Sequence, residues 1–378
     1  MQIITTRVVF VKYVVYNVIM KKNYYDATKL LSLKDINGAL PELYLVSGNR
    51  SAGKTTFFSR YLVKRFLKYG EKFVLIYRFT NELKDVPDKF FKDIGELFFS
   101  NYVMSDLPRG NGTMRELFIK NAQKYDGDNK NNVGDSCGYA VALNGADNVK
   151  KYSHLLSDVQ RGLFDEFQSE TNHYAPDEVN KLISIHTSIA RGHGEQVRHV
   201  PFILCSNTVS LLNPYYTALG ISDRLQHDTK FLKGDGYVLE QTFNESASNA
   251  QKESGFMRAF AGSDYVKFSA ENVYLNDNVA MVEQLIGDNK YLVTVKCDGE
   301  FYAIRYFIND GLIYCDTRID ETFKTKLCIS AEDMDGDLLM MKTHDTYIRM
   351  LRSYFERGVF RFKNLQCKSA IIKLLAYK

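Results

Sequence analysis

Residues 48–55 read GNRSAGKT, a complete G-x-x-x-x-G-K-[ST] pattern, set between the apolar run ELYLVSG (42–48) and TTFFSRYLVKRFLKYG (55–70). The pattern demands a strand that ends in a glycine-rich turn and a helix that starts straight after it. Phe58, Tyr61, Leu62, Arg65 and Phe66 keep helical spacing, and Gly70 supplies a C′ stop. KFVLIYRF, 72–79, then reads as a second buried strand. Strand, loop, helix and strand in this order make a βαβ unit, which implies an α/β domain with a parallel sheet and right-handed crossover.

The turn has the chemistry of a phosphate cradle. Gly48 and Gly53 let the backbone present N–H groups to phosphates, with Asn49, Arg50, Ser51 and Ala52 between them and Thr56 in the first helical turn. Lys54 supplies a cation, and Thr55 a hydroxyl for Mg²⁺, so the expected ligand is ATP with Mg²⁺. Such a loop needs a carboxylate at the end of a neighbouring strand. VQRGLFDE, 159–166, offers Asp165 for the metal and Glu166 for the attacking water, although Arg161 and Gly162 interrupt its apolar run.

A third strand, VPFILCSN (200–207), ends in Cys205, Ser206 and Asn207, small polar residues placed to sense a γ-phosphate. DEVNKLISIHTSIAR between the two strands has an amphipathic helical pattern. Arg191, which ends it, is the candidate arginine finger toward an adjacent subunit, with Arg198 as the alternative.

At 378 residues the chain has room for two domains. The expected boundaries are an extension at 1–22, a P-loop domain at 23–242, a Ser/Ala/Gly-rich connecting segment at 243–265 and a second domain at 266–378. In the last, Asp298-Gly299 and Asp310-Gly311 punctuate β-rich runs, which predicts a three-stranded antiparallel meander; helical patterns follow, making that domain α+β. The first twenty residues are apolar but carry Arg7, Lys12 and Asn17 and have no small-residue cleavage site; they predict neither a membrane span nor a secretion signal, and Met20 is a possible alternative start. DGDNKNN, 126–132, reads as an exposed loop. Six cysteines stand singly without a C-x-x-C pair, which suggests reduced thiols and neither a zinc site nor a disulfide framework.

Net charge is +4, but from Lys342 onward nine Lys/Arg face only Asp345 and Glu356. That segment is a candidate polyanion contact, with Arg349, Arg352, Arg357, Arg361 and Lys363 as its candidate nucleic-acid residues.

GNRSAGKT, CGYAVALN, FDEF, PDEV, ILCSNTVSLLNPYY, GLIYCDTRID and GVFRFKN, in this order, resemble the DNA-packaging ATPases, or encapsidation proteins, of phi-29-like podophages, relatives of large-terminase motors. The resemblance runs from about Tyr25 to the C-terminus. It implies an ASCE-type P-loop domain, then a smaller ribonuclease H-like domain lacking nuclease acids. It further implies a pentameric ring that works in the host cytoplasm, docked transiently on a procapsid portal and driving double-stranded DNA inward. A packaging RNA bridges ring and portal in the best-known members of that family.

By the same resemblance Lys54 and Thr55 form the Walker A pair, Asp165 and Glu166 the Walker B aspartate and catalytic glutamate, Arg191 the trans-acting finger, and Ser206-Asn207 the coupling motif. Two positions depart from the pattern: Thr80 in YRFTNEL stands where a lysine is expected after Arg78, and the strand before Asp165 is unusually polar. Asp298, Asp310 and Asp316 lie at turns or strand ends, which favours nucleic-acid binding over cleavage. A non-catalytic vertex protein binding DNA or RNA, and a helicase, remain alternatives on the ATPase parts alone. An intact Glu166 argues against the first, and strand-separation activity would mark the second.

Overall fold

The computed structural model describes residues 24–376, apart from 125–132, 172, 192–195, 222–223, 226–228, 262, 264–265, 267–280, 329 and 341–344. The N-terminal extension and the loop at 126–132 therefore lie outside the described residues. Two compact units divide the chain: residues 1–210 with 227–276, and 211–226 with 277–378.

In the first unit nine strands are seen among the described residues: β1 (Leu43–Gly48), β2 (Lys72–Tyr77), β3 (Tyr102–Arg109), β4 (Met114–Asn121), β5 (Asp135–Ala142), β6 (Val159–Asp165), β7 (Phe202–Asn207), β8 (Phe231–Lys233) and β9 (Tyr237–Thr242). They join one sheet in the order β3-β4-β5-β2-β6-β7-β1-β9-β8. From β5 to β9 every neighbouring pair is parallel, and the antiparallel partners β3, β4 and β8 lie only at the edges. β7 lies between the P-loop strand β1 and the acidic strand β6, so the expected parallel α/β domain is present with one strand inserted between its two chemical strands.

The helix Lys54–Tyr69 forms because Phe58, Leu62 and Val63 recur on one face. They are buried against Tyr44, Val46, Leu75, Leu163, Ile203 and Val238, side chains from five different strands. The helix stops at Gly70, whose φ of 71° suits a residue without Cβ.

The polar interruptions in β6 have partners. Arg161 donates to Glu71 at 2.8 Å beneath the Tyr61 ring, and a Cβ on Gly162 would lie 2.5 Å from the Phe202 ring.

Residues 243–265, expected to be a connecting segment, instead carry the helices Glu245–Lys252 and Gly255–Ala259 and belong to the first unit. Asn244 and Ser254 cap them through their side chains, accepting from Ala247 N and Met257 N.

The second unit holds β10 (Asn289–Cys297), β11 (Glu300–Phe307), β12 (Leu312–Asp316), β13 (Lys326–Cys328), β14 (Leu339–Met340) and β15 (Phe360–Phe362), in the order β14-β13-β10-β11-β12-β15. β10, β11 and β12 form the expected antiparallel meander, while β13, β14 and β15 each pair in parallel. Asp298 and Gly299 both take positive φ at the first hairpin, 54° and 83°. The helices Asp345–Glu356 and Leu365–Ala376 pack Ile348, Leu351, Ile371 and Leu374 onto Val293, Ile304, Phe360 and Phe362. Residues Leu211–Gln226, including the helix Pro214–Ala218 capped by Asn213, group with this unit, a grouping that a boundary at 242 does not anticipate.

All six cysteines are buried and free. No helix among the described residues is long and apolar enough to cross a membrane.

Candidate functional site

β1, β6 and β7 run parallel, so their C-terminal ends open at one edge of the sheet, the usual place for a ligand in this architecture. Gly48 closes β1 opposite Asn207 of β7 and Thr242 of β9. A Cβ there would lie 2.3 Å from the Thr242 carbonyl oxygen, which is why only glycine fits. The loop then passes through positive φ at Ser51 (61°) and Gly53 (93°), the kind of bend by which a backbone can present N–H groups to an anion, and the helix begins at Lys54.

Lys54 is buried, and its Nζ donates to the carbonyls of Gly48 (3.0 Å) and Asn49 (2.8 Å) and to Asn207 Oδ1 (3.4 Å). Burial pulls its pKa down to about 8, a shift that the nearby Asp165 carboxylate opposes. Thr55 is exposed on the first turn.

At the end of β6, Asp165 Oδ1 accepts from Cys205 Sγ (3.1 Å) and from Glu166 N (3.0 Å). Complete burial, reinforced by Asp165, pushes the Cys205 thiol well up, so it remains a donor. Glu166 is exposed and takes φ 57°, the left-handed region. Partial desolvation raises its pKa above the ordinary glutamate value; Asp165 and Glu170 add to this, while Arg50 and Arg78 oppose it.

Asn207 lies at the centre of the group. Its Nδ2 donates to Glu170 Oε1 at 3.1 Å, and Glu170 also pairs with Arg50 of the loop at 3.4 Å. Ser206, its neighbour in the expected coupling pair, is buried, and its Oγ makes no hydrogen bond among the described residues.

A second set of contacts comes from the helix after β9. Asn49 Nδ2 donates to Asn244 O (3.0 Å) while Asn244 N donates to Asn49 Oδ1 (2.8 Å), and Gln251 Nε2 donates to Ser51 Oγ (2.8 Å). Sequence reasoning missed Glu170, Asn244 and Gln251. Asn244 had a signal, an N-cap residue followed by Glu and helix formers; Glu170 and Gln251 had none.

Arg191 is exposed just beyond the helix Glu178–Ile189. That helix runs back from the acidic end of β6 to the start of β7, so Arg191 leaves it at the sheet edge opposite its own P-loop. Arg198 donates from its Nη2 to Ile189 O at 2.7 Å and from its backbone N to Ala190 O, capping that helix. Thr80 donates its hydroxyl to Asn144 Oδ1 at 2.8 Å, a bond within the unit.

The donors suit Mg²⁺ held largely by a nucleotide. A hydroxyl from Thr55 and a carboxylate from Asp165 are hard oxygen ligands, and among the described residues no group of three or more His, Cys, Asp or Glu could hold a metal ion by itself.

In the second unit the basic residues are partly committed. Arg352 donates to Leu375 O (2.9 Å), Arg361 pairs with Glu283, and Lys363 donates to Thr317 Oγ1 (2.9 Å), while Arg349 and Arg357 are exposed. The acids are dispersed in role. Asp316 is buried and accepts from Arg305 Nε (3.1 Å) and Arg318 N (2.8 Å), Asp298 pairs with Lys373, and Asp310 is exposed in a turn.

A family model described as podovirus DNA encapsidation protein (Gp16) matches residues 19–378. The DNA packaging protein of Bacillus phage phi29 is 26% identical over 362 residues, covering 95% of this chain and 97% of that one. Its counterpart from Bacillus phage B103 is 25% identical over 327 residues, covering 85% and 92%. Among solved structures, the bacteriophage phi-29 viral genome packaging motor assembly aligns at a TM-score of 0.65 and 24% identity, covering 93% of this chain and 98% of that one; this likeness speaks to the fold.

Proposed function

The chain belongs to the podovirus DNA encapsidation protein (Gp16) family, and we propose that it is an ATP-driven motor that moves double-stranded viral DNA into a procapsid. The observation that carries this reading is the convergence of Lys54, Asn207, Asp165 and Glu166 at the C-terminal ends of three parallel strands. Asp165 and Glu166 stand side by side with different tasks: Asp165 is fixed by Cys205 and the Glu166 N–H, and Glu166 is exposed where water can approach.

ATP would bind with its phosphates over the N–H groups of residues 49–53 and draw Lys54 from the carbonyls of Gly48 and Asn49. Mg²⁺, held by Thr55, Asp165 and the phosphates, would neutralise charge on the transferring group. Glu166 orients and deprotonates the attacking water, and Asn207 senses the γ-phosphate.

Arg191 acts on the site of a neighbouring copy. Its place at the edge opposite its own P-loop supports a trans role, and hence a ring, which we take to be pentameric. DNA grip through phosphate contacts is independent of sequence and weakens steeply with salt, as moving any genome requires.

The second unit is read as ribonuclease H-like. An antiparallel meander flanked on its first strand by two parallel strands supports that topology. Asp298 and Asp316 are occupied by ion pairs, which favours nucleic-acid binding over cleavage, with Arg349 and Arg357 the exposed contacts. The partners are DNA, a portal and a packaging RNA, met at the portal vertex in the host cytoplasm.

The test is steady-state ATP hydrolysis with and without double-stranded DNA at several salt concentrations, for wild type, Lys54→Ala and Glu166→Gln. DNA stimulation that fades with salt, a silent Lys54→Ala, and a Glu166→Gln that binds ATP without turnover are expected. Wild-type turnover in Glu166→Gln removes that residue from the role. Nucleotide binding without hydrolysis under every condition would favour the vertex-protein reading.

A further inference from the structure

The exposed carboxylate of Glu166 is held by a backbone that should not rest where it does. At φ 57° this non-glycine residue sits in the left-handed region, which side chains with a Cβ avoid unless neighbouring contacts hold them there. Those contacts surround it. Glu166 N donates to Asp165 Oδ1, and Phe167 N donates across to Cys205 O of β7 at 3.3 Å. On the carbonyl side, Arg78 Nη2 donates to Glu166 O (3.2 Å) and Phe167 O (2.8 Å).

Arg78 follows the last residue of β2 and is only 8% exposed. Its Nε donates to both carboxylate oxygens of Glu178, at 3.1 and 2.9 Å, and Glu178 is 3% exposed. The guanidinium carbon lies 5.3 Å from the centre of the Phe164 ring and 5.1 Å from that of Tyr174. Glu178 Oε2 also accepts from Ala175 N at 2.7 Å, which fixes the loop between Glu166 and the helix Glu178–Ile189.

We infer that Arg78, locked by Glu178, is a positioning residue for ATP hydrolysis: it holds the strained Glu166 backbone so that the carboxylate faces the phosphate site. The inference rests on the reading of Glu166 as the residue that directs the attacking water. A guanidinium is suited to the task, because its planar fork engages a carboxylate and two carbonyls at once, whereas an ammonium is a point charge without that geometry. Misplacing a catalytic carboxylate by an ångström costs turnover much more than binding.

The experiment uses the full-length chain with DNA present and measures kcat and KM for ATP, with affinity from a fluorescent ATP analogue. Arg78→Lys and Glu178→Gln are made in the wild-type and Glu166→Gln backgrounds. Arg78→Lys is expected to lower kcat on the order of 10- to 100-fold while nucleotide affinity stays within about threefold. In the Glu166→Gln background, which binds ATP without turnover, it should leave nucleotide affinity within about threefold, since its effect passes through the carboxylate and not through the phosphate cradle. Glu178→Gln, which keeps the guanidinium in place, should show the same pattern more weakly, and it carries the test if Arg78→Lys does not fold.

Wild-type kcat in both variants overturns the inference. So does a loss of ATP affinity, in either background, that accounts for the loss of turnover. An active Glu166→Gln would instead sink the parent reading, an outcome distinct from an inactive Glu166→Gln beside an active Arg78→Lys.

Discussion

Raising the pH from 7 to 9 should weaken nucleotide binding about tenfold through Lys54 alone. Burial holds this ammonium at a pKa of about 8 in the nucleotide-free chain, where its partners are two carbonyls and an amide oxygen. Bound phosphates would favour the charged form and raise that pKa. With the free-state pKa depressed and the bound-state pKa raised, binding takes up a proton wherever free Lys54 is neutral. Affinity is then nearly flat below pH 8 and falls about tenfold per unit above it, which is about 1.4 kcal/mol per unit. Titration with a fluorescent nucleotide at fixed ionic strength measures the slope, and calorimetry in two buffers at pH 9 should count close to one proton taken up. Lys54→Arg, charged at both pH values, should abolish the slope. Constant affinity from pH 7 to 9, or binding without proton uptake, would refute the argument that Lys54 titrates here.

Two further expectations follow from packing. Gly48→Ala places a methyl 2.3 Å from the Thr242 carbonyl oxygen, so β1 must part from β9 at its last pair; nucleotide binding should be lost with the circular dichroism spectrum retained, and wild-type affinity would contradict this. Phe58→Ala empties a fully buried site where the P-loop helix meets the sheet and should cost about 3–5 kcal/mol in urea unfolding. A loss below about 1 kcal/mol would mean that the surrounding side chains collapse into the space.

What the sequence made legible is what local chemistry determines. The P-loop, its helix, β6, β7 and the Asp-Gly hairpins follow from glycine conformation and periodicity, which act within a few residues. Arg161 and Gly162 look wrong for a buried strand until Glu71 and Phe202 are placed beside them. The Arg78–Glu178 pair joins positions 100 apart in sequence and the Arg50–Glu170 pair 120 apart, so no window of sequence contains either. Residues 243–265 misled for a related reason. Their Ser, Ala and Asn content resembles a linker, yet Asn244 and Gln251 bind the P-loop through bonds that span about two hundred residues.

The geometry also divides the expected coupling pair. Successive side chains on a strand point to opposite faces, so Ser206 and Asn207 of β7 cannot both reach the phosphates. Asn207 is the one beside the loop, its oxygen accepting from Lys54 and its nitrogen donating to Glu170, and Glu170 in turn holds Arg50. Loop lysine, loop arginine and strand amide are therefore joined through one carboxylate. A phosphate that draws Lys54 forward removes one donor from Asn207 and competes with Glu170 for Arg50, so the bonds must rearrange as a set. We therefore propose Asn207 as the residue of the pair through which nucleotide state would reach β7; Ser206 is buried, and its hydroxyl makes no hydrogen bond among the described residues.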